Sequence, residues 1–177
     1  MPRRLFSFDP PDRFIAGTVG RPGNRTFFLQ ARRAGQIVSV VLEKVQVAVL
    51  AERLGDLLEE AQRRLGADIP AAAPEVDTEP LQTPLDEEFR VGTLGLAWDA
   101  ADSTVIVEAT ATPPDGEEEV PEEDLDLLRV RLTPGETRAF VARALRIVAA
   151  GRPPCPFCGL PLDPAGHICP RQNGYRR

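Results

Sequence analysis

The chain is poor in the residues from which catalytic and redox sites are most often built. Its 177 residues include one histidine, three cysteines, one tryptophan, one tyrosine and one methionine. Lys44 is the sole lysine, so arginine carries nearly all the positive charge. No G-x-S-x-G is present. The only glycine-rich stretch, GRPGNRT (20–26), lacks the Gly-Lys-Ser/Thr ending of a phosphate loop and reads better as a hairpin turn. No apolar run approaches the ~20 residues that cross a bilayer, so no membrane association is expected. The opening MPRRLFSFDPPDRF has basic residues without an apolar stretch behind them, which argues against a signal peptide. A cytoplasmic protein with reduced cysteines is the expectation.

The scarce residues are also unevenly placed. All three cysteines and the histidine fall in CPFCGLPLDPAGHICP, residues 155–170, as Cys155, Cys158, His167 and Cys169. Three thiolates and one imidazole form a common ligand set for tetrahedral structural zinc. The two residues between the first cysteines let both sulfurs face one ion, and Gly159 lets the chain turn its N–H groups toward them. A disulfide would strand the third cysteine and ignore the histidine. A thioredoxin-like C-x-x-C would open a helix, which Pro156, Gly159 and Pro161 oppose. Four protein ligands leave no open position for water, so the expected zinc is structural. With the lone histidine committed to it, Ser-His and Cys-His catalytic arrangements are excluded.

Charge is segregated along the chain. Residues 1–66 hold 11 basic and 7 acidic side chains, net +4. Residues 67–126 hold Arg90 against 18 acids, net −17, and residues 127–177 hold 9 bases against 2 acids, net +7. The densest acidic stretch, PDGEEEVPEEDLD (114–126), reads either as a solvated loop or as an arm lying on the protein's own basic flanks.

Two segments look alike. FIAGTVG (14–20) matches FRVGTLG (89–95) at an offset of 75, and VSVVLEK and LRVRLTP, at 38–44 and 128–134, each lead into a helical pattern. The expected organisation is α+β: two similar β-rich units, about 1–66 and 88–151, each with antiparallel strands followed by one helix. They pack as one domain (1–151), joined by a linker (67–87) that reads as a tether or mobile loop. The acidic loop (113–126) expands the second unit, and a zinc-binding tail (152–177) follows. Alternating β-branched and aromatic residues give strands in RLFSF, RFIAGTV, RTFFLQAR, QIVSVVLE, FRVGTLGLAW, TVIVEATA and LLRVRL. Val47, Leu50, Ala51, Leu54, Leu57, Leu58, Ala61 and Leu65 have the spacing of one buried helical face. In the second helix that stripe is Phe140, Val141, Ala144, Leu145 and Val148, introduced by a capping box from Thr133 to Glu136. Trp98 ends a strand and reads as core.

Outside the metal cluster, Asp99, Asp102 and Glu108 read as unpaired, solvent-facing carboxylates. Arg129 and Arg131 alternate on one strand face, with Arg138, Arg143, Arg146, Arg171, Arg176 and Arg177 near in sequence. They form a candidate phosphate-contacting stripe.

The stretches RLFSFDPPDRFIAGTVGRPGNRTFFLQAR, EKVQVAVLAERL and CPFCGLPLDPAGHICPRQNGYRR together resemble a largely actinobacterial family of uncharacterised proteins of this length, the ParJ-like family, over nearly the whole chain. The resemblance implies a regulatory binding role, with a ParA-type chromosome-partitioning ATPase as partner. No motif here marks residues that would contact it. The first expectation is therefore a non-catalytic binding or regulatory protein that acts through a protein partner. The alternatives are a nucleic-acid-binding protein using the arginine stripe, and an enzyme acting on a phosphorylated small molecule. A shallow apolar groove would favour the first, a continuous positive face the second and a deep polar pocket the third.

Overall fold

The computed structural model describes residues 3–21, 23–114 and 119–150. Seven strands and two long helices follow the order β1 (Leu5–Phe8), β2 (Arg13–Val19), β3 (Thr26–Arg33), β4 (Gln36–Leu42), α1 (Lys44–Leu65), β5 (Glu87–Asp99), β6 (Thr104–Ala111), β7 (Leu127–Leu132) and α2 (Pro134–Ala149). A short 3-10 turn, Glu122–Asp124, lies in the acidic segment.

The expected antiparallel units fuse into a single mixed sheet of order β1-β7-β6-β5-β4-β3-β2. Strands β2-β3-β4 and β5-β6-β7 are each antiparallel, but β4 joins β5 in parallel and β1 joins β7 in parallel. The matched segments FIAGTVG and FRVGTLG lie on β2 and β5, each the first strand of a three-stranded meander that ends in a helix.

Chain connectivity forces the sheet to curl. Strands β1 and β2 sit on opposite edges, yet only residues 9–12 connect them. A flat seven-stranded sheet would separate its edges by roughly 29 Å, whereas five residue steps reach at most about 18 Å. The edges therefore approach: Arg33 Nη1 donates to Asp9 O at 2.6 Å, and Arg131 of β7 pairs with Asp9. Helix α2 lies along the free edge of β2, where the rings of Phe140 and Phe14 stack at 4.7 Å and Arg143 Nε donates to the Ala16 carbonyl at 2.8 Å.

The concave face holds the core. Alternate residues of the strands, such as Ala16, Leu29, Val40, Val107 and Val130, meet Leu50, Leu54 and Leu58 of α1 and Phe140 and Ala144 of α2. Burial of each large side chain contributes roughly 1.5–3 kcal/mol. Leu65 and Leu145 depart from the expected stripes, being 61% and 49% exposed: Leu65 is the last residue of α1, and Leu145 lies on the outer side of α2, since Ile147 and Val148 beyond it still pack against the core. Helix α2 begins as its sequence implies: Thr133 Oγ1 accepts from Glu136 N, and Glu136 Oε1 accepts from Thr133 N.

The stretch between α1 and β5 is an ordered strap. Ile69 packs into the core, the Pro70 carbonyl accepts from Arg138 Nε, and Leu81 then lies directly over Gly17 on the convex side. The strap thus passes around the β2 edge from one face of the sheet to the other.

Candidate functional site

The expected zinc ligands Cys155, Cys158, His167 and Cys169 lie outside the described residues. Their point of departure is described, however. Arg25, at the β2–β3 turn, donates to Ile147 O at 3.1 Å and Ala150 O at 2.6 Å, tying down the carboxyl end of α2. Its guanidinium also lies 4.9 Å from the centre of the Phe27 ring. No group of three or more His, Cys, Asp or Glu suited to a metal occurs among the described residues.

Within the sheet, the convex face divides into two regions. On β2-β3-β4, cross-strand register lines up Ile15, Gln30 and Ser39 in one row and Gly17, Phe28 and Val41 in the next. All six are buried, and Gln82 and Leu81 of the strap lie against Gln30 and Gly17. The Gln30 side chain imitates a neighbouring strand: its Nε2 donates to Gln82 O at 2.9 Å and its Oε1 accepts from Gln82 N at 2.8 Å. One end of the strap is clamped by Asp77. Its Oδ2 accepts from Arg13 Nε at 2.6 Å and its Oδ1 from Arg143 Nη1 at 3.3 Å, while its carbonyl also accepts from Arg143 Nη1 at 2.7 Å. Arg13's hydrogen bond holds the Asp77 carboxyl below the usual carboxylate range, and burial lowers Arg143 from its ordinary value.

On β5-β6-β7 the corresponding rows are Thr93–Thr110–Leu127, Gly95–Glu108–Arg129 and Ala97–Ile106–Arg131. Among the described residues no comparable strap crosses them, although Thr110 and Leu127 are buried. Glu108 and Arg129 stand directly opposite, and Glu108 Oε2 accepts from both Arg129 Nε and Nη2 at 3.0 and 2.9 Å. Arg131 pairs with Asp99 and lies 3.4 Å from Asp9 and 3.7 Å from Asp102. The hydrogen bond between them lowers the Asp99 pKa and raises that of Arg131.

The acidic segment borders this open face. Arg4 N donates to Asp126 Oδ1 at 2.8 Å, its side chain reaches Asp126 and Glu88, and Arg3 Nη1 donates to Glu123 O at 3.2 Å. The described end of the segment thus lies on basic residues of the amino-terminal flank, as the arm reading expects. Between Glu122 and Glu123 and the sheet runs a polar groove of about 330 Å³, floored by Thr93, Gly95, Glu108 and Thr110.

Several sequence readings change here. Asp99, Asp102 and Glu108 are partners of Arg131 and Arg129, not free carboxylates. Arg143 is buried against β2, so it leaves the expected arginine stripe. Trp98 is partly exposed, forming with Leu57, Ala61 and Leu65 a shallow apolar groove of about 180 Å³. A polar pocket of about 150 Å³ between β2 and α2 is lined by Arg13 and Arg143, already engaged by Asp77. Sequence alone signals none of these pairings, since the partners stand 21–66 residues apart.

The described residues thus define an α+β protein with one curled mixed sheet, one convex half sealed and the other open. The chain belongs to the family described as protein of unknown function (DUF3090), whose model matches residues 6–169. No curated protein and no solved structure matches it.

Proposed function

We propose that this chain is a non-catalytic binding or regulatory protein that acts through a macromolecular partner. In this reading its carboxyl-terminal segment is stabilised by one zinc ion on Cys155, Cys158, His167 and Cys169. The observation that carries it is the asymmetry of the convex face. One half is covered by the chain's own strap, while among the described residues the equivalent half has no such cover and presents a largely polar surface edged by carboxylates. The shallow apolar groove beside Trp98 accords with a docking protein. The nucleic-acid alternative is weakened because Arg129 and Arg131 are paired within the chain and a phosphate would have to displace carboxylates. The enzyme alternative is weakened because the arginines of the polar pocket are spent on Asp77 and backbone carbonyls. The family resemblance supplies a ParA-type partitioning ATPase as the candidate partner, and the two matched meander-plus-helix units fit an internal duplication.

The test is direct binding of the purified chain to a ParA-type ATPase from the same source, alongside a DNA duplex, at low and high salt. Saturable binding to the ATPase with weak, salt-labile DNA binding supports the proposal. Tight DNA binding without ATPase binding would replace it with the nucleic-acid reading. Elemental analysis should find about one zinc per chain, lost in Cys158→Ser while the helical signal of residues 3–150 persists. A metal-free parent protein sinks the zinc assignment.

A further inference from the structure

We infer that the second half of β5 is a self-association surface, along which two copies of this chain join their sheets edge to edge about a twofold axis. This does not depend on the partner proposed above. Its basis is an unfinished ladder. Strand β4 stops at Leu42 and the chain turns into α1, so the last β4–β5 pair is Val41 with Arg90. Beyond it β5 runs on to Asp99, with β6 on one side and no described strand on the other. The main-chain bonds tell which groups are left over. Ala111 N donates to Asp126 O, toward β7, so Thr110 directs its N–H and C=O to β5, where Thr93 stands opposite. In alternation from Thr93, Gly95 and Ala97 also turn theirs to β6, whereas Leu94, Leu96 and Trp98 turn theirs to the open side. Among the described residues, no group of another element bonds them there.

The edge fits its own copy. The outer edges of the sheet are guarded, since β1 has only four residues and α2 lies along β2. Residues 91–98, VGTLGLAW, hold neither charge nor proline, the devices that keep an exposed edge from pairing. In a chain of net charge −6, this uncharged strand is where a second copy meets little repulsion. Its side chains are unfinished too. Leu94, Leu96 and Trp98 face the core but are only partly buried, while Ala109, Val107 and Val105 opposite them on β6 are fully buried. The apolar groove between Trp98 and α1 lies beside them. An antiparallel copy centred on Leu96 uses every free group. Leu96 faces its own equivalent and Leu94 faces Trp98, which gives about six main-chain hydrogen bonds. Leu94 of one copy then packs beside Trp98 of the other and fills the groove. On the convex side Gly95 faces Ala97, and neither adds bulk that would hold the strands apart.

Sedimentation velocity of the full chain over a concentration series reads the association, and the parent should sediment as a dimer in the micromolar range. Gly95 of one copy stands opposite Ala97 of the other, on the face away from the core, and a Cβ on Gly95 comes no nearer to a neighbour than 3.9 Å. Gly95→Lys/Ala97→Lys therefore sets lysine against lysine twice without disturbing the protomer. It should raise the dimer dissociation constant about tenfold or more, as should Gly95→Glu/Ala97→Glu. An equimolar mixture of the two variants should recover association close to the parent's, because each lysine then faces a glutamate. Both variants remain net negative, so bulk attraction does not account for recovery. A parent that stays monomeric up to its solubility limit overturns the inference and leaves the edge to a strand of a different protein. So would variants that associate as tightly as the parent, or a mixture that fails to recover although each variant keeps the native unfolding midpoint. No ATPase is present in this assay, so failure of the proposed partner and failure of this edge are read separately.

Discussion

The two halves of the sheet are built to one plan and finished differently. Each is a three-stranded meander leading into a helix, and each contributes its concave face to the shared core. On the convex side, the β2-β3-β4 half carries Ile15, Phe28 and Val41, which cannot face water cheaply, and the strap covers them. The β5-β6-β7 half carries mostly threonines, small residues and ion pairs, with Ile106 and the buried Leu127 its large apolar side chains. The comparison teaches where to look for a partner. A face that the chain already buries is part of its stability, while a polar face left open with unused acceptors is free to serve recognition.

The comparison breaks most visibly at its ion pairs. Asp77→Ala strips the partner from two largely buried guanidiniums, and a loss of about 2–4 kcal/mol is expected in urea unfolding. Glu108→Ala removes the equivalent kind of partner on the open half, from a more exposed arginine, and should cost no more than about 1 kcal/mol. Equal losses would mean that the strap clamp is no more than a surface contact.

Glycines give the next contrast. A Cβ on Gly17 would stand 2.4 Å from Leu81 Cγ, so Gly17→Ala must push the strap outward, at roughly 1–3 kcal/mol. Gly95→Ala meets nothing and should stay within about 0.5 kcal/mol of the parent. Thermal unfolding of the pair, measured side by side, decides whether the strap is truly seated.

Acid should reach both halves, but for the strap the sign can be followed through one group. The folded Asp77 carboxyl titrates below its unfolded value, chiefly because it accepts from Arg13. Its contribution is therefore complete above the ordinary carboxylate pKa of about 3.9 and is lost as pH falls through the lower folded value. Asp77→Asn should flatten the acid limb of the stability curve relative to the parent; an unchanged limb would remove Asp77 from the account.

The smallest effects are expected at the hairpin turns, where the halves should agree. Ala34 between β3 and β4 has φ of 50°, and Ser103 between β5 and β6 has φ of 51°. Both adopt the left-handed region that glycine occupies without strain, so Ala34→Gly and Ser103→Gly should each raise stability by about 0.5–1 kcal/mol. A gain in one and a loss in the other would show that the turns, like the faces, have diverged.

Much of this was determined by the sequence alone. The seven strands, both helices and the Thr133–Glu136 cap are written in local period and turn chemistry, which act over a few residues and so can be read there. The proposed zinc ligands Cys155, Cys158, His167 and Cys169 are also a reading of local sequence, because metal binding demands particular residue types at short spacing. Only the tertiary structure decided that β4 and β5 meet in parallel, that the proline-rich stretch after α1 crosses to the convex face, and that Arg143 is buried against β2. It alone matched Arg129 with Glu108 and Arg131 with Asp99. These outcomes depend on which distant segments share a surface, and an arginine at helical spacing looks the same whether its partner is water or an aspartate 66 residues away.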